Sequence, residues 1–350
     1  MNGRERMLAA LEHREVDRVP IGFFAIDYDT VQKILGRETY LRAKARSEIA
    51  FWEGRRDEVV ESWKEDMIEL YRKLDILDII NLNAMATGVA PPRGYVPDEV
   101  PRPIDDVTWE YADGRVLRYS ETTADLTVIH DPNTWTRSYS PEDFPEEPEV
   151  EAPDESCFEM VDAVIEAFSG ERFILGPTGR EAAWVLLGGM ERGLTEFALN
   201  PELVKGAIRS EVARGNVEDR WNIRPGTDGV LWGEDFAYRS GPFINPKTFR
   251  EICLPGIKER VANVKGYGLK VVKHACGNNN ALLPAFVEAG YDAYQSIQSS
   301  AGMDLGEVKR NYGDKISLWG GVRVENLVNG TAEEVRGDVR RAMEIGPPGG

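Results

Sequence analysis

The sequence predicts an α/β protein folded as a single (β/α)8 barrel, and three observations predict it. Strand-like and helical patterns alternate through the second half of the chain, which implies right-handed βαβ units and a parallel sheet. Polar residues and glycines follow each of those strand-like runs, where barrel enzymes carry their chemistry. The chain has 350 residues, 42% of them hydrophobic, enough for one large core over residues 1–350.

The elements follow in order. Arg4–His13 reads as a short amphipathic helix with Met7, Leu8 and Leu11 on one face. Val19–Ala25, opened by Pro20, reads as a buried first strand. Asp29–Leu74 is mostly helical, since Val60, Trp63, Met67 and Tyr71 fall at helical spacing; Ile76–Leu82 is a second strand. Trp109–Tyr119 alternates on both sides of Asp113-Gly114, a hairpin signal, and Thr123–His130 adds a strand. Ser138–Glu155, rich in Pro, Glu and Asp, reads as an exposed linker. Residues 95–155 are therefore expected to be an insertion in one barrel loop. Further strands are expected at Arg172–Leu175, Gly229–Trp232, Leu269–Lys273, Ala293–Ile297 and Ile316–Trp319. Helices are expected at Glu181–Leu199, Pro246–Lys265, Asn280–Ala289, Asp304–Asn311 and Ala332–Glu344. Seven strands are visible, so the eighth is expected to be truncated beyond Gly349-Gly350.

A net charge of −18 argues against binding nucleic acid or anionic membrane surfaces. No run approaches the roughly 18 apolar residues of a membrane span, and Met1–Glu15 lacks the apolar region of a signal peptide. Three widely spaced cysteines, Cys157, Cys253 and Cys276, point to a reducing cytoplasm, not a disulfide framework.

The sharpest chemical feature is His274-Ala-Cys276 at a strand end. In extended chain, residues i and i+2 project from one face, so an imidazole and a thiolate would point together into the barrel mouth. That pair suits Zn2+ better than Mg2+ or Ca2+. At the neighbouring strand end, Glu234 and Asp235 offer an oxygen ligand or a general base. Adjacent strand residues point opposite ways, so only one of the two faces the mouth. With Tyr238 and Arg239 they are the candidate catalytic groups, and Glu234 is a candidate third ligand. Arg180, Arg239 and Arg323, at three strand exits, could clamp an anionic group. Asn278, Gln295 and Gln298 join Arg180 and Arg323 as candidate substrate-binding residues. The plainer readings are a solvated His13, a structural His130 in the insertion, core thiols at Cys157 and Cys253, and core aromatics at Trp52, Trp63 and Tyr71. No phosphate loop, dinucleotide fingerprint or serine-nucleophile elbow is present.

Residues 4–20 resemble the opening of uroporphyrinogen decarboxylase superfamily proteins. His274-Ala-Cys-Gly-Asn278, Glu288-Ala-Gly-Tyr-Asp292, Gly302-Met-Asp-Leu305, Lys309-Arg-Asn-Tyr-Gly313, Gly320-Gly-Val322 and Gly330-Thr-Ala-Glu-Glu-Val335 match the second half of that family in order. The resemblance implies a (β/α)8 barrel and two chemistries. True uroporphyrinogen decarboxylases hold the porphyrinogen carboxylates with arginines of an N-terminal Pro-x-Trp-x-Met-Arg-Gln-Ala-Gly-Arg segment. Here the chain reads Pro20-Ile-Gly-Phe-Phe-Ala-Ile-Asp-Tyr28, without arginine. The other branch, zinc methyltransferases of corrinoid-dependent systems, carries His-x-Cys at this position plus a later cysteine. His274 and Cys276 match the first two ligands; the third should fall near Gly349-Gly350, so Glu234 or a residue past the end is expected to substitute. The resemblance thus implies a zinc methyltransferase or demethylase acting on a small methylated substrate. A corrinoid protein would be its partner and the assembly a homodimer; the location of residues 95–155 makes them the expected docking or lid element. A carboxy-lyase and a barrel without catalysis are the alternatives.

Overall fold

The computed structural model describes residues 1–86, 88–121 and 123–346; Gly349-Gly350, where a third cysteine was sought, lies outside them. Six strands form one parallel sheet: β1 (Ile79–Asn81), β2 (Phe173–Leu175), β3 (Gly229–Trp232), β4 (Lys270–His274), β5 (Ala293–Ser296) and β6 (Ser317–Gly320). They are hydrogen-bonded in chain order, and the sheet curls into a half-barrel of TIM-like form. Side chains alternate across it. Ile79, Phe173, Leu175, Leu231, Val272 and Ala293 fill the concave side, and the helix Gly3–Leu11 plugs its amino-terminal end with Met7 and Leu11. Val230, Trp232, Val271 and Tyr294 face outward into the helical layer.

An aspartate just before every second strand pins the register. Asp78, Asp228 and Asp292 each donate a backbone N–H to the carbonyl of a residue on the preceding strand position: Ile21, Ile174 and Val271, at 2.7, 2.9 and 2.8 Å. Each carboxylate then accepts the N–H of that same residue, at 2.7, 3.0 and 2.7 Å. Each aspartate carbonyl receives an N–H from the next strand, from Phe173, Lys270 and Ser317. The three-fold repetition places Ile21 where a first strand belongs.

Val19–Ala25 therefore occupies the expected position but makes no ladder among the described residues, which corrects the strand expected there. Pro20 has no N–H to give, and side chains take over the pairing. Asp78 holds Ile21, Asn81 Nδ2 donates to Phe24 O at 3.0 Å, and Trp319 Nε1, from the opposite sheet edge, donates to Gly22 O at 3.3 Å. A Cβ on Gly22 would lie 2.8 Å from that of Ile79, so only glycine lets the segment approach β1 so closely.

Other departures have local causes. The helix expected from Glu181 begins only at Met190, because Ala182 at φ 64° and Gly188 and Gly189 at φ 77° and 96° break the chain before it. A helix at Pro201–Asn222, absent from the sequence reading, follows at once. The helix expected over Pro246–Lys265 divides at Cys253, ahead of Pro255. Between β1 and β2, Arg102–Asp105, Thr108–Glu110, Val116–Ser120 and Asp125–His130 form a four-stranded antiparallel sheet turning at Gly114, φ 84°. It leans on the helix Lys44–Trp52 through Lys44–Asp125 at 2.6 Å and Trp52 against Trp109 at 6.0 Å. No helix of the described residues is long and apolar enough to cross a membrane.

Asp78 also binds Arg6 and Arg18, each at 2.6 Å, and Arg6 is itself buried. Asp78→Ala should lower unfolding stability by about 3 kcal/mol, because a buried guanidinium loses a charge partner. Urea denaturation measures this, and an unchanged midpoint would show that the carboxylate contributes nothing.

Candidate metal centre

His274 ends β4 on the concave side, above Val272, and Cys276 follows on the strand exit. The register sets His274 beside Gln295 of β5. His274 Nδ1 is hydrogen-bonded to Gln295 Oε1. The ring stacks on Phe24, centroids 4.3 Å apart at 27°. Nε2 then lies 3.5 Å from Cys276 Sγ and 3.9 Å from Asp235 Oδ1. Ligand atoms of Asp235, His274 and Cys276 all fall within 4.8 Å of one another.

The turn after β4 is built to hold this arrangement. Asp235 Oδ1 accepts the Cys276 backbone N–H at 2.6 Å, tying the β3 exit to the β4 exit. Gly277, at φ 85°, packs its Cα against the Ala237 carbonyl; a Cβ there would sit 2.2 Å from that oxygen. Gln298 Oε1 accepts the Gly277 N–H at 2.8 Å, and Asn278 N–H donates to Tyr238 O at 2.7 Å. Asn279, fully buried, donates to Ala275 O and Cys276 O from beneath.

Of the two neighbouring acids, Asp235 is the one grouped with His274 and Cys276. Glu234 Oε2 is buried with no partner, and burial together with the nearby Glu181 carboxylate pushes this acid up to about 8. Behind the sheet, Lys273 Nζ donates to Glu181 Oε2 at 2.5 Å and to the Glu234 carbonyl at 2.9 Å, with Lys273 and Glu181 both inaccessible to solvent. Tyr291 OH donates to the other Glu181 oxygen. A lysine inside the apolar run Val271-Val-Lys273 was the sequence signal for this buried pair; nothing comparable marked Phe24 or Asn279.

Each of the three arginines has a partner of its own. Arg323 is engaged by Asp338 at 3.0 Å, Arg180 reaches toward Glu211 at 4.0 Å, and Arg239 donates to Ser300 O at 3.2 Å. Tyr238 is exposed against the Phe243 ring. Asn278 and Gln298 serve the turn, and Gln295 serves His274. A cavity of about 390 Å3, lined by Tyr40, Arg42, Phe51, Met85 and Leu117 among others, lies between the N-terminal helices and the antiparallel sheet and shares no residue with the cluster.

Burial lowers the His274 pKa, with Gln295 and Asp235 opposing it, so a neutral imidazole is the resting form. Burial raises that of Cys276, and Asp235 adds to the effect. A bound cation would have to displace that thiol proton. The donor set fits one. Zinc–ligand lengths of 2.0–2.3 Å at a tetrahedral angle place N and S about 3.5 Å apart, the spacing found between Nε2 and Sγ. The carboxylate is exposed on one side, which leaves a path for a ligand.

The half-barrel thus gathers an imidazole, a thiol and a carboxylate at the carboxyl ends of its strands. Residues 223–350 match the family model of uroporphyrinogen decarboxylase (URO-D), a span containing β3–β6 and the whole cluster. A solved methyltransferase from Methanosarcina mazei shares the fold, with a TM-score of 0.64 and 15% identity over 99% of this chain and 90% of that one. No curated protein matches the chain. The family-model match bears out the resemblance carried by the motifs from His274 to Val335, and the structural likeness bears out the fold.

Glu234 stays protonated in the folded chain up to about pH 8, whereas the unfolded chain releases that proton near 4.5. The native state thus binds more protons in that window, and stability should fall as pH rises from 4.5 to 8, by at most about 1.4 kcal/mol per pH unit. In metal-free protein, Glu234→Gln should flatten this decline in urea midpoints. A slope identical to the native one would show that Glu234 is not its source.

Proposed function

We propose that this protein is a zinc-dependent methyltransferase or demethylase that moves a methyl group between a small methylated compound and a corrinoid protein. The observation that carries the reading is the convergence of His274 Nε2, Cys276 Sγ and an Asp235 oxygen within 4.8 Å at the barrel mouth. Three protein donors are the usual number where a zinc keeps a position open for substrate. Asp235 takes the place in the donor set that the family pattern gives to a later cysteine. When bound there, zinc supplies Lewis acidity toward a thiol, alcohol or ether oxygen. The chain's own groups set the conditions. Phe24 and Gln295 fix the imidazole, Asp235 holds the Cys276 backbone, and the concave side beneath is apolar and buried.

Porphyrinogen decarboxylation is the weaker reading, on a specific ground. The segment Val19–Asp27 reaches the mouth, where Phe24 touches His274, and it contains no arginine. The arginine preceding it in the chain, Arg18, is bound to Asp78, and Arg42 reaches only Asp27 of the segment, at 3.1 Å.

Residues 95–155 would then be the docking or lid element; their sheet and its flank expose Val128, Ile129 and Trp135.

Freshly purified protein should carry about one zinc per chain, lost in a His274→Ala, Cys276→Ala double variant together with methyl transfer to a corrinoid acceptor. Protein free of transition metal, or a double variant that retains zinc, would overturn the proposal. Replacing Val128, Ile129 and Trp135 by serine should raise the KM for the corrinoid protein and leave the zinc content intact. Unchanged kinetics would remove the insertion from the partner's path.

A further inference from the structure

Gln295 stands among the expected substrate contacts, but the geometry points to another role. We propose that Gln295 is a positioning residue that fixes the tautomer of His274 and presents Nε2 as its ligating nitrogen, an inference that rests on the metal reading above.

The argument begins with the ladder. Parallel pairing of β4 with β5 sets Gln295 beside His274, both on the concave side. Gln295 Oε1 accepts from Nδ1–H, so the ring's one remaining lone pair is at Nε2. Nε2 is also the nitrogen that faces Cys276 Sγ and Asp235. Phe24 fixes the plane of the ring by stacking, and Gln295 fixes which nitrogen carries the proton. The two constraints come from separate parts of the chain and act on separate freedoms of one side chain. With no acceptor at Nδ1, the imidazole could place its proton on Nε2 and donate it toward the sulfur 3.5 Å away, closing the lone pair that a cation needs. Outer partners of this kind typically contribute about 10–100-fold to metal affinity. An amide does so without adding negative charge to the site.

The test uses the full chain and two acceptor-free variants, Gln295→Leu and Gln295→Val, with Gln295→Glu as the conservative replacement. The chain has three histidines, so long-range 1H–15N correlations of metal-free protein are assignable by His274→Ala. The native protein and Gln295→Glu should show His274 protonated at Nδ1. The acceptor-free variants should move to Nε2–H or to a mixture and bind Co2+ about 10–100-fold more weakly, with Gln295→Glu recovering most of the loss. An Nδ1–H tautomer and unchanged Co2+ affinity in a folded acceptor-free variant would overturn the proposal, and an altered substrate KM alongside them would return Gln295 to substrate contact. If native protein binds neither Co2+ nor Zn2+, the metal reading fails by itself, while the tautomer comparison still decides the role of Gln295.

Discussion

The paired hydrogen bonds between alternate aspartates and the backbone of the strand before them are the constraint on which the rest of the structure depends. In a parallel sheet, a slip of one residue exchanges the two faces of a strand. For β4 that slip would put Lys273 into the concave side and His274 into the helical layer. Asp228 and Asp292 hold β4 from both sides, the first accepting at its carbonyl the N–H of Lys270, the second gripping both backbone groups of Val271. Three residues further along, the imidazole reaches the mouth because of bonds made at the opposite end of the strand.

The outward face adds a second restraint with a different chemistry. Lys273 and Glu181 are fully removed from water, so each would be costly to bury without the other. Their pairing gives little net stability but strong geometry. Through the Glu234 carbonyl and Tyr291, this one ammonium and one carboxylate join the exits of β2, β3 and β4 to the segment ahead of β5. Asp235 is thereby held one residue from a fixed point. A flexible exit loop could not keep its carboxylate both on the Cys276 amide and near Nε2.

Much of this was legible in the residues. The runs at Gly229–Trp232, Ala293–Ile297 and Ile316–Trp319 were short and strand-like, and their boundaries agree with the strands to within a residue or two. The pairing of His274 with Cys276 followed from the two-residue repeat of extended chain. What the sequence could not convey were effects set by contacts across long separations. Val19–Ala25 looked like a strand because composition does not record that Asp78, Asn81 and Trp319 would bond its backbone. Glu181–Leu199 looked helical because nothing local shows that Glu181 is drawn inward by Lys273 and Tyr291, ninety or more residues away. The choice between Glu234 and Asp235 was undecidable for the same reason: alternation says that one faces the mouth, and only the Lys273 contact to the Glu234 carbonyl sets which.

The way the first strand position is filled has a consequence for access to the imidazole. Phe24 shields one side of His274, yet it rides on a stretch fastened by a few side-chain bonds and not by a continuous ladder. The stacking partner of the imidazole is thus carried by the segment before β1, whereas the donor atoms sit on β4 and the strand exits. Shielding of the ring and retention of the donors therefore rest on two different parts of the chain.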